Sequence, residues 1–393
     1  MSNIINMGFA FVAHVRYNSV MMNTDGIVPP LLAIILLTYL VIGVLYAAHT
    51  PAWQVPDEPA HYNYVRHLAE TGSFPILRMG DYPHDYLEEI KARRFPPDLS
   101  IDPIRYEFHQ PPLYYLLAVP VYWLAEGQLL PLRLLSVALG AALVLIAYRL
   151  VRVILPTRPA LALGTAAFVA FVPMHVAMIS GVGNDVLAEL LLAAVALLAV
   201  RHVAGDEDQA TGRQGDRDEA TFVPYLPSSP PILVPRSQLA LMGVALGLVL
   251  VTKTTAYAAL PVALTAVIWR WYDTRRASSI THRRSLGWRL LAVFGPALLI
   301  ALPWYLRNAT VYGWPDLLGL RWHNAVVVGQ PRTAEWIARH GWAGFLRRFA
   351  DFSFKSFWGV FGWLGVFVDQ RIYLALGLLS GLVLAGVVAF VIR

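Results

Sequence analysis

The chain has 393 residues, of which 57% are hydrophobic and only 14% charged, against the roughly one quarter charged that a soluble globular domain carries. That composition, with a mean hydropathy of +0.53, excludes a soluble enzyme and points to an all-α polytopic membrane protein. The net charge of +6 belongs to loop topology and contact with membrane lipids, not to nucleic acid; with no cysteine there is no disulfide, thiolate metal site or cysteine nucleophile.

Residues 1–26 are of mixed polarity, lack a sharp signal-peptide pattern and read as a cytoplasmic leader, with Met21 and Met22 leaving a later start open. Residues 27–48 carry no charge and match the roughly 20 residues a helix needs to cross a bilayer, so they form the first span. A polar loop, 49–130, follows on the outer side. It opens on Gln54-Val55-Pro56-Asp57-Glu58-Pro59-Ala60-His61, three ionisable groups just outside the span. Asp57 suits a helix cap and Pro59 a first turn, so a short helix from Glu58 is expected to stop at Gly72, with Asp57 and His61 on one face. The same octet reads equally as a plain helix start in a solvated loop.

Within the loop, residues 111–125 are apolar but short for a span and contain Pro120, which suits a helix lying at the interface. Topology supports the flat placement. It puts the loop bearing Arg149, Arg152 and Arg158, and the one bearing Arg275, Arg276, Arg283 and Arg284, on the cytoplasmic side, as the positive-inside rule requires.

Residues 132–151 are the second span, 160–179 the third and 186–203 the fourth, closing the first membrane half, 27–203. His175 in the third span reads as a hydrogen-bonded core histidine. Asp185 and Glu189 share a helix face at the start of the fourth; Asp185 as a helix cap and Asp185 as a catalytic or metal group both stand. Residues 204–236, rich in Gly, Asp, Gln and Pro, read as a disordered cytoplasmic linker. The second half, 237–393, makes two short passes over 238–271 around Lys253, a seventh span over 290–306 and an eighth over 372–392, with a second outer loop at 307–356 and an aromatic interfacial stretch at 357–368. About eight spans, with two long outer loops carrying interfacial helices, leave both termini cytoplasmic. A chain that stops one Arg after its last span also fits a truncated architecture.

On this topology Asp57, Glu58, His61, Arg105, His109, Arg133, Asn184, Asp185, Lys253 and Arg307 all reach the outer surface. Ionisable groups at span ends are costly unless they face water or a ligand, so the set points to one shared cavity, although snorkelling alone accounts for Lys253 or Arg133 taken singly. Glu58 and His61 lack the second histidine that a zincin needs.

Asp57-Glu58 after the first span, His109-Gln110-Pro111-Pro112-Leu113-Tyr114-Tyr115, Arg133, Asn184-Asp185, Thr252-Lys253, Pro303-Trp304-Tyr305-Leu306-Arg307-Asn308 and Ser356-Phe357-Trp358-Gly359 occur in the order that resembles the GT-C superfamily of integral-membrane glycosyltransferases. The nearest resemblance is to the branch of protein O-mannosyltransferases and aminoarabinose transferases, with uncharacterised bacterial members. It implies an inverting transferase of the plasma membrane that moves a sugar from a polyprenyl-phosphate carrier to a lipid, glycan or protein acceptor on the outer face. By that resemblance Asp57 would be the general base and Glu58 would orient it. Arg105, His109, Arg133, Lys253 and Arg307 would be drawn on to bind the carrier phosphate, and Asp57, His61 and Asp185 would hold a divalent metal ion. The Gln110 inserted into a simple His-Pro-Pro and the short chain depart from the family pattern. The competing readings are a transporter or flippase and a truncated, non-catalytic lipid-binding member.

Overall fold

A computed structural model describes residues 27–204, 236–277 and 286–392. The leader, the 204–236 linker except its two end residues, and Arg283 and Arg284 of the basic loop lie outside the described residues.

The chain enters through helix α1 (Val28–His49), uncharged and opened by two prolines in its first turn, where missing N–H groups cost nothing. The first loop then builds α2 (Glu58–Thr71), α3 (His84–Ala92), a 3-10 turn at Tyr106–His109 and α4 (Leu113–Leu124). Helix α2 begins at Glu58 and ends at Gly72, as the sequence suggests; Gly72 is left-handed and returns its N–H to the Leu68 carbonyl. Helix α4 has 12 residues, about 18 Å at 1.5 Å per residue, well short of a hydrocarbon core roughly 30 Å thick.

Helix α5 (Leu129–Ile154) follows, then α6 (Pro159–Phe171) and α7 (Pro173–Ile179), bent 60° to one another, and α8 (Asp185–Ala204). The bend has an identifiable cause. Pro173 has no N–H for the Val169 carbonyl four residues back, and His175 Nδ1 donates to that carbonyl instead at 2.9 Å. The other ring nitrogen of His175 lies 2.9 Å from Glu189 Oε2 on α8. His175 is thus a hydrogen-bonded structural histidine.

The second half consists of α9 (Arg236–Leu250), a 3-10 turn at Thr254–Ala258, α10 (Ala259–Ala277) and α11 (Leu286–Tyr312). After it come α12 (Leu320–Val326), α13 (Thr333–Gly359) broken at Gly341, a two-stranded hairpin of β1 (Val360–Phe361) and β2 (Val366–Phe367), and α14 (Gln370–Ile392). The hairpin, pairing Val360 with Phe367 and Phe361 with Val366, is a small exception to the all-helical expectation.

Among the described residues five helices, α1, α5, α8, α11 and α14, are long and apolar enough to cross a membrane, and six candidates result when the bent α6–α7 pair counts as one. The stretch 238–271, expected to make two short passes, falls on α9 and α10, neither of which is among these candidates: at 15 residues α9 is shorter than a full crossing, and α10 ends in a charged stretch containing Arg270, Asp273, Arg275 and Arg276.

Two apolar clusters share the bundle, one built on α1, α2, α4 and α5, the other on α8 to α11. They meet at α8, where Leu187 belongs to the first and Ala188 to the second. Two close approaches need glycine. A Cβ on Gly140 would lie 2.0 Å from the Tyr39 hydroxyl, and one on Gly243 2.3 Å from the Val293 carbonyl oxygen.

The end of α1 and the starts of α2 and α5 are locked by a buried ion pair. Arg133 on α5 donates from Nε and Nη2 to Glu58 at 2.8 and 2.6 Å, and from its Nη groups to the carbonyls of Ala47, Thr50 and Pro51. Glu58 Oε1 also accepts the Val182 N–H and Oε2 the Trp53 N–H. Glu58 is 0% and Arg133 3% exposed, so the pair is stable only because these extra bonds satisfy it. Arg133→Met is expected to cost roughly 3–5 kcal/mol by stranding a buried carboxylate. The double change with Glu58→Gln should cost less than the two single changes together; unfolding midpoints in detergent give the cycle, and additive losses would rule out coupling.

Candidate active site

Asp57 sits between the buried Glu58 and the C-terminal end of α1, and its backbone is left-handed, with φ 64°. A non-glycine residue there is uncommon, and Asp and Asn tolerate it best. The conformation diverts the carboxylate from capping: Asp57 makes no side-chain bond to the helix it precedes. Instead Oδ1 accepts the Tyr106 hydroxyl at 2.5 Å. Burial pushes the Asp57 carboxyl above the usual carboxylate range, opposed by the Tyr106 bond and by Lys253, and reinforced by Asp185.

The nearby charges come from both halves of the chain. Lys253, extended just ahead of the 3-10 turn, places Nζ 2.7 Å from Asp185 Oδ1 at the head of α8. Asn184 beside it donates to the Thr252 carbonyl at 3.2 Å and, at 3.4 Å, to Gln110 Oε1. The Gln110 carbonyl accepts the Tyr64 hydroxyl, and the Leu113 N–H is donated to the Val251 carbonyl. Gln110 therefore fastens the first loop to the α8 turn.

The histidines line the same region as neutral groups. His61 Nδ1 shares a 2.8 Å hydrogen bond with the Tyr115 hydroxyl, and burial lowers its pKa. A Cβ on Gly183 would lie 3.5 Å from the His61 ring, so the α8 turn backs the imidazole closely. His109 Nδ1 donates to the Tyr106 carbonyl at 3.0 Å, and its ring lies 4.3 Å from that of His323. Burial, then His323, bring its pKa down to about 3. At neutral pH His109 is thus no cation for a phosphate.

The expected phosphate-binding cations are committed to different partners. Arg133 spends its donors on Glu58 and three carbonyls, and Glu58 spends its oxygens on Arg133 and two backbone N–H groups; both are scaffold rather than reacting groups. Arg105 is exposed and donates to the Asp102 carbonyl. Arg307 donates to the carbonyls of Phe74 and Pro75 and lies 4.7 Å over the Trp304 ring, pinning α11 to the first loop. Of these cations Lys253 is the one that acts electrostatically on Asp57, His61 and His109 together.

The expected metal set also comes apart. Asp57 is turned to Tyr106, His61 to Tyr115 and Asp185 to Lys253, and among the described residues no three His, Asp or Glu side chains are grouped to hold a metal ion. The residues present do not fit a divalent centre.

Four contributors escaped sequence reasoning. Tyr106 and Glu107 directly precede the His109-Gln110-Pro111-Pro112 motif, which was the available signal. His323 comes from α12 and Lys91 from α3, and the field of Lys91 reaches Asp57; neither is near the motif in sequence.

Because the folded state favours neutral Asp57, its contribution to stability is full below the ordinary carboxylate pKa, about 3.9, and is lost as pH rises through the raised value. Asp57→Asn stays neutral and suits the left-handed backbone, so its unfolding midpoint at pH 7 is expected to equal or exceed that of the wild type, and to vary less between pH 4 and 7. A clear loss at pH 7 would show that the carboxylate itself is needed for folding. Comparison of the chain with protein-family models, with curated proteins and with solved structures returns no match.

Proposed function

We propose that the protein is an integral-membrane glycosyltransferase of the GT-C type, moving a sugar with inversion from a polyprenyl-phosphate carrier to an acceptor hydroxyl on the outer face of the plasma membrane. One observation carries the reading. A partly buried carboxylate, Asp57, is held by the Tyr106 hydroxyl and kept above the usual carboxylate range, within the field of Lys253 from the other half of the chain and of the Asp185 that holds it. In this proposal α9 and α10 complete eight passes, Asp57 faces outside and both termini are cytoplasmic.

The residues then have distinct tasks. As the acceptor oxygen bonds to the anomeric carbon, its proton passes to Asp57, a base whose raised pKa brings it nearer the operating pH. The bond from the anomeric carbon to the phosphate oxygen breaks, and Lys253 meets the charge that builds on the departing phosphate. Asp185 positions Lys253. Glu58 and Arg133 act only by fixing the backbone on which Asp57 sits.

The broken α6–α7 pair, with His175 and Glu189 beside the break, favours a transport reading as the second choice, since discontinuous helices with polar partners line substrate paths in transporters.

With a labelled polyprenyl-phosphate sugar and purified protein, Asp57→Asn is expected to lower transfer by about 10²–10⁴-fold without loss of fold. In the wild type kcat/KM should rise with pH through a limb above the ordinary carboxylate range, as Asp57 loses its proton. Undiminished turnover by Asp57→Asn would remove the base assignment, and sugar-lipid flux across proteoliposomes without transfer would favour transport.

A further inference from the structure

The second part of α13 carries an apolar face that the described residues leave open. Gly341 breaks the helix with φ 67° and ψ 169°, which resets the register. Across all of α13 the aromatic residues scatter; after the break they align. Trp342, Phe345, Leu346, Phe349 and Phe352 recur at intervals of three and four, which puts them on one side of a helix. Their rings follow one another, Trp342 lying 6.1 Å from Phe345 and Phe345 6.0 Å from Phe349. Trp342 is nevertheless 65%, Leu346 56% and Phe349 60% exposed. Arg347, Asp351 and Lys355 lie on the other side, with Arg348 at its edge.

The far end of the helix is bedded among the candidate spans. A Cβ on Gly377 would lie 3.7 Å from the Phe354 ring, and Gly377 stands seven residues into α14, about 10 Å along it at 1.5 Å per residue. The apolar face also runs on into neighbouring apolar surface. The Phe357 ring stacks 6.3 Å from that of Phe168 on α6, both rings half-exposed, and Phe352 meets the half-exposed Phe367 of the hairpin at 6.4 Å. An apolar patch of this kind marks either a protein or a membrane contact. Here it continues the lipid-facing flanks of α6 and α14, and its back carries Arg347, Arg348 and Lys355 against the single acid Asp351. That is the charge a layer of lipid phosphates would meet.

We propose that residues 342–355 dock on the bilayer, lying along its surface with Trp342, Leu346 and Phe349 among the upper acyl chains and Arg347 among the lipid phosphates. A helix of this type sinks its apolar face roughly 5–10 Å into the boundary between headgroups and chains. The inference rests on α6 and α14 crossing the membrane and is independent of the transferase reading. It gives the helix a task. The hairpin that follows α13 donates from Trp363 Nε1 to the Trp53 carbonyl at 2.9 Å, so the lipid surface would steady a clamp on the loop that leads to Asp57.

The chain has no cysteine, so a single introduced one carries a unique nitroxide. Trp342→Cys, Leu346→Cys and Phe349→Cys on the apolar face, and Arg347→Cys and Asp351→Cys on the polar face, are labelled in the full chain, one copy per phospholipid nanodisc. Collisions are measured with oxygen, which gathers in hydrocarbon, and with a nickel chelate confined to water. The three apolar-face labels are expected to favour oxygen several-fold over nickel and the two polar-face labels to do the reverse. Apolar-face labels as open to nickel as the polar ones would overturn the docking. Labels shielded from both reagents would also overturn it, in favour of a protein contact. Should the labelled variants not fold, a photoreactive probe dissolved in the acyl chains is applied to the wild type in the same discs. Adducts on peptides covering 342–357 support the proposal, and adducts confined to the spans overturn it.

Discussion

The end of the bundle where α1 gives way to α2 depends on a single buried salt bridge. Glu58 and Arg133 come from segments 75 residues apart, and moving two charges out of water costs several kcal/mol for each ion. Their mutual attraction offsets that cost only when the remaining donors and acceptors are filled. Here the surplus bonds run to the carbonyls of Ala47, Thr50 and Pro51 and from the N–H groups of Trp53 and Val182. One side-chain pair thereby aligns the exit of α1, the start of α2, the head of α5 and the turn before α8.

Asp57 inherits its position from this pair. Its neighbour Glu58 is committed inward, and the left-handed backbone at Asp57 turns the preceding carboxylate the other way, to Tyr106. Two adjacent acids so acquire opposite characters: one saturated and structural, the other held by a single hydroxyl. Helix α8 completes the arrangement: its residues serve two apolar clusters, and its first residue holds Lys253 from the second half of the chain.

Much of this was legible in the sequence. Long apolar runs marked α1, α5, α8 and α14, and Pro59 and Gly72 bounded α2, because span length and helix punctuation are local properties. The length of α4 and its Pro120 were enough to keep it from being a full span. What the sequence could not convey were relations between distant residues. Arg133 resembled a phosphate-binding cation because nothing nearby shows that Glu58 meets it, and Arg307 did so because its carbonyl partners at Phe74 and Pro75 lie over 230 positions away. The helical spacing of Asp57 and His61 was real, yet the left-handed turn and the Tyr115 hydroxyl send their side chains to different partners. A stretch read as loop, 333–356, contains most of α13, whose scattered aromatic and basic residues gave no clear apolar stripe.

The kink between α6 and α7 bears on how the chain enters its membrane. A carboxylate one turn into a membrane-crossing helix is costly unless it meets water or a polar partner, and Glu189 stands at that depth in α8. His175 lies only 14 residues before it, across a tight turn. A newly synthesised hairpin of α6, α7 and α8 therefore brings its own polar partner and can leave the insertion machinery as a unit, without waiting for a later helix to shield the carboxylate.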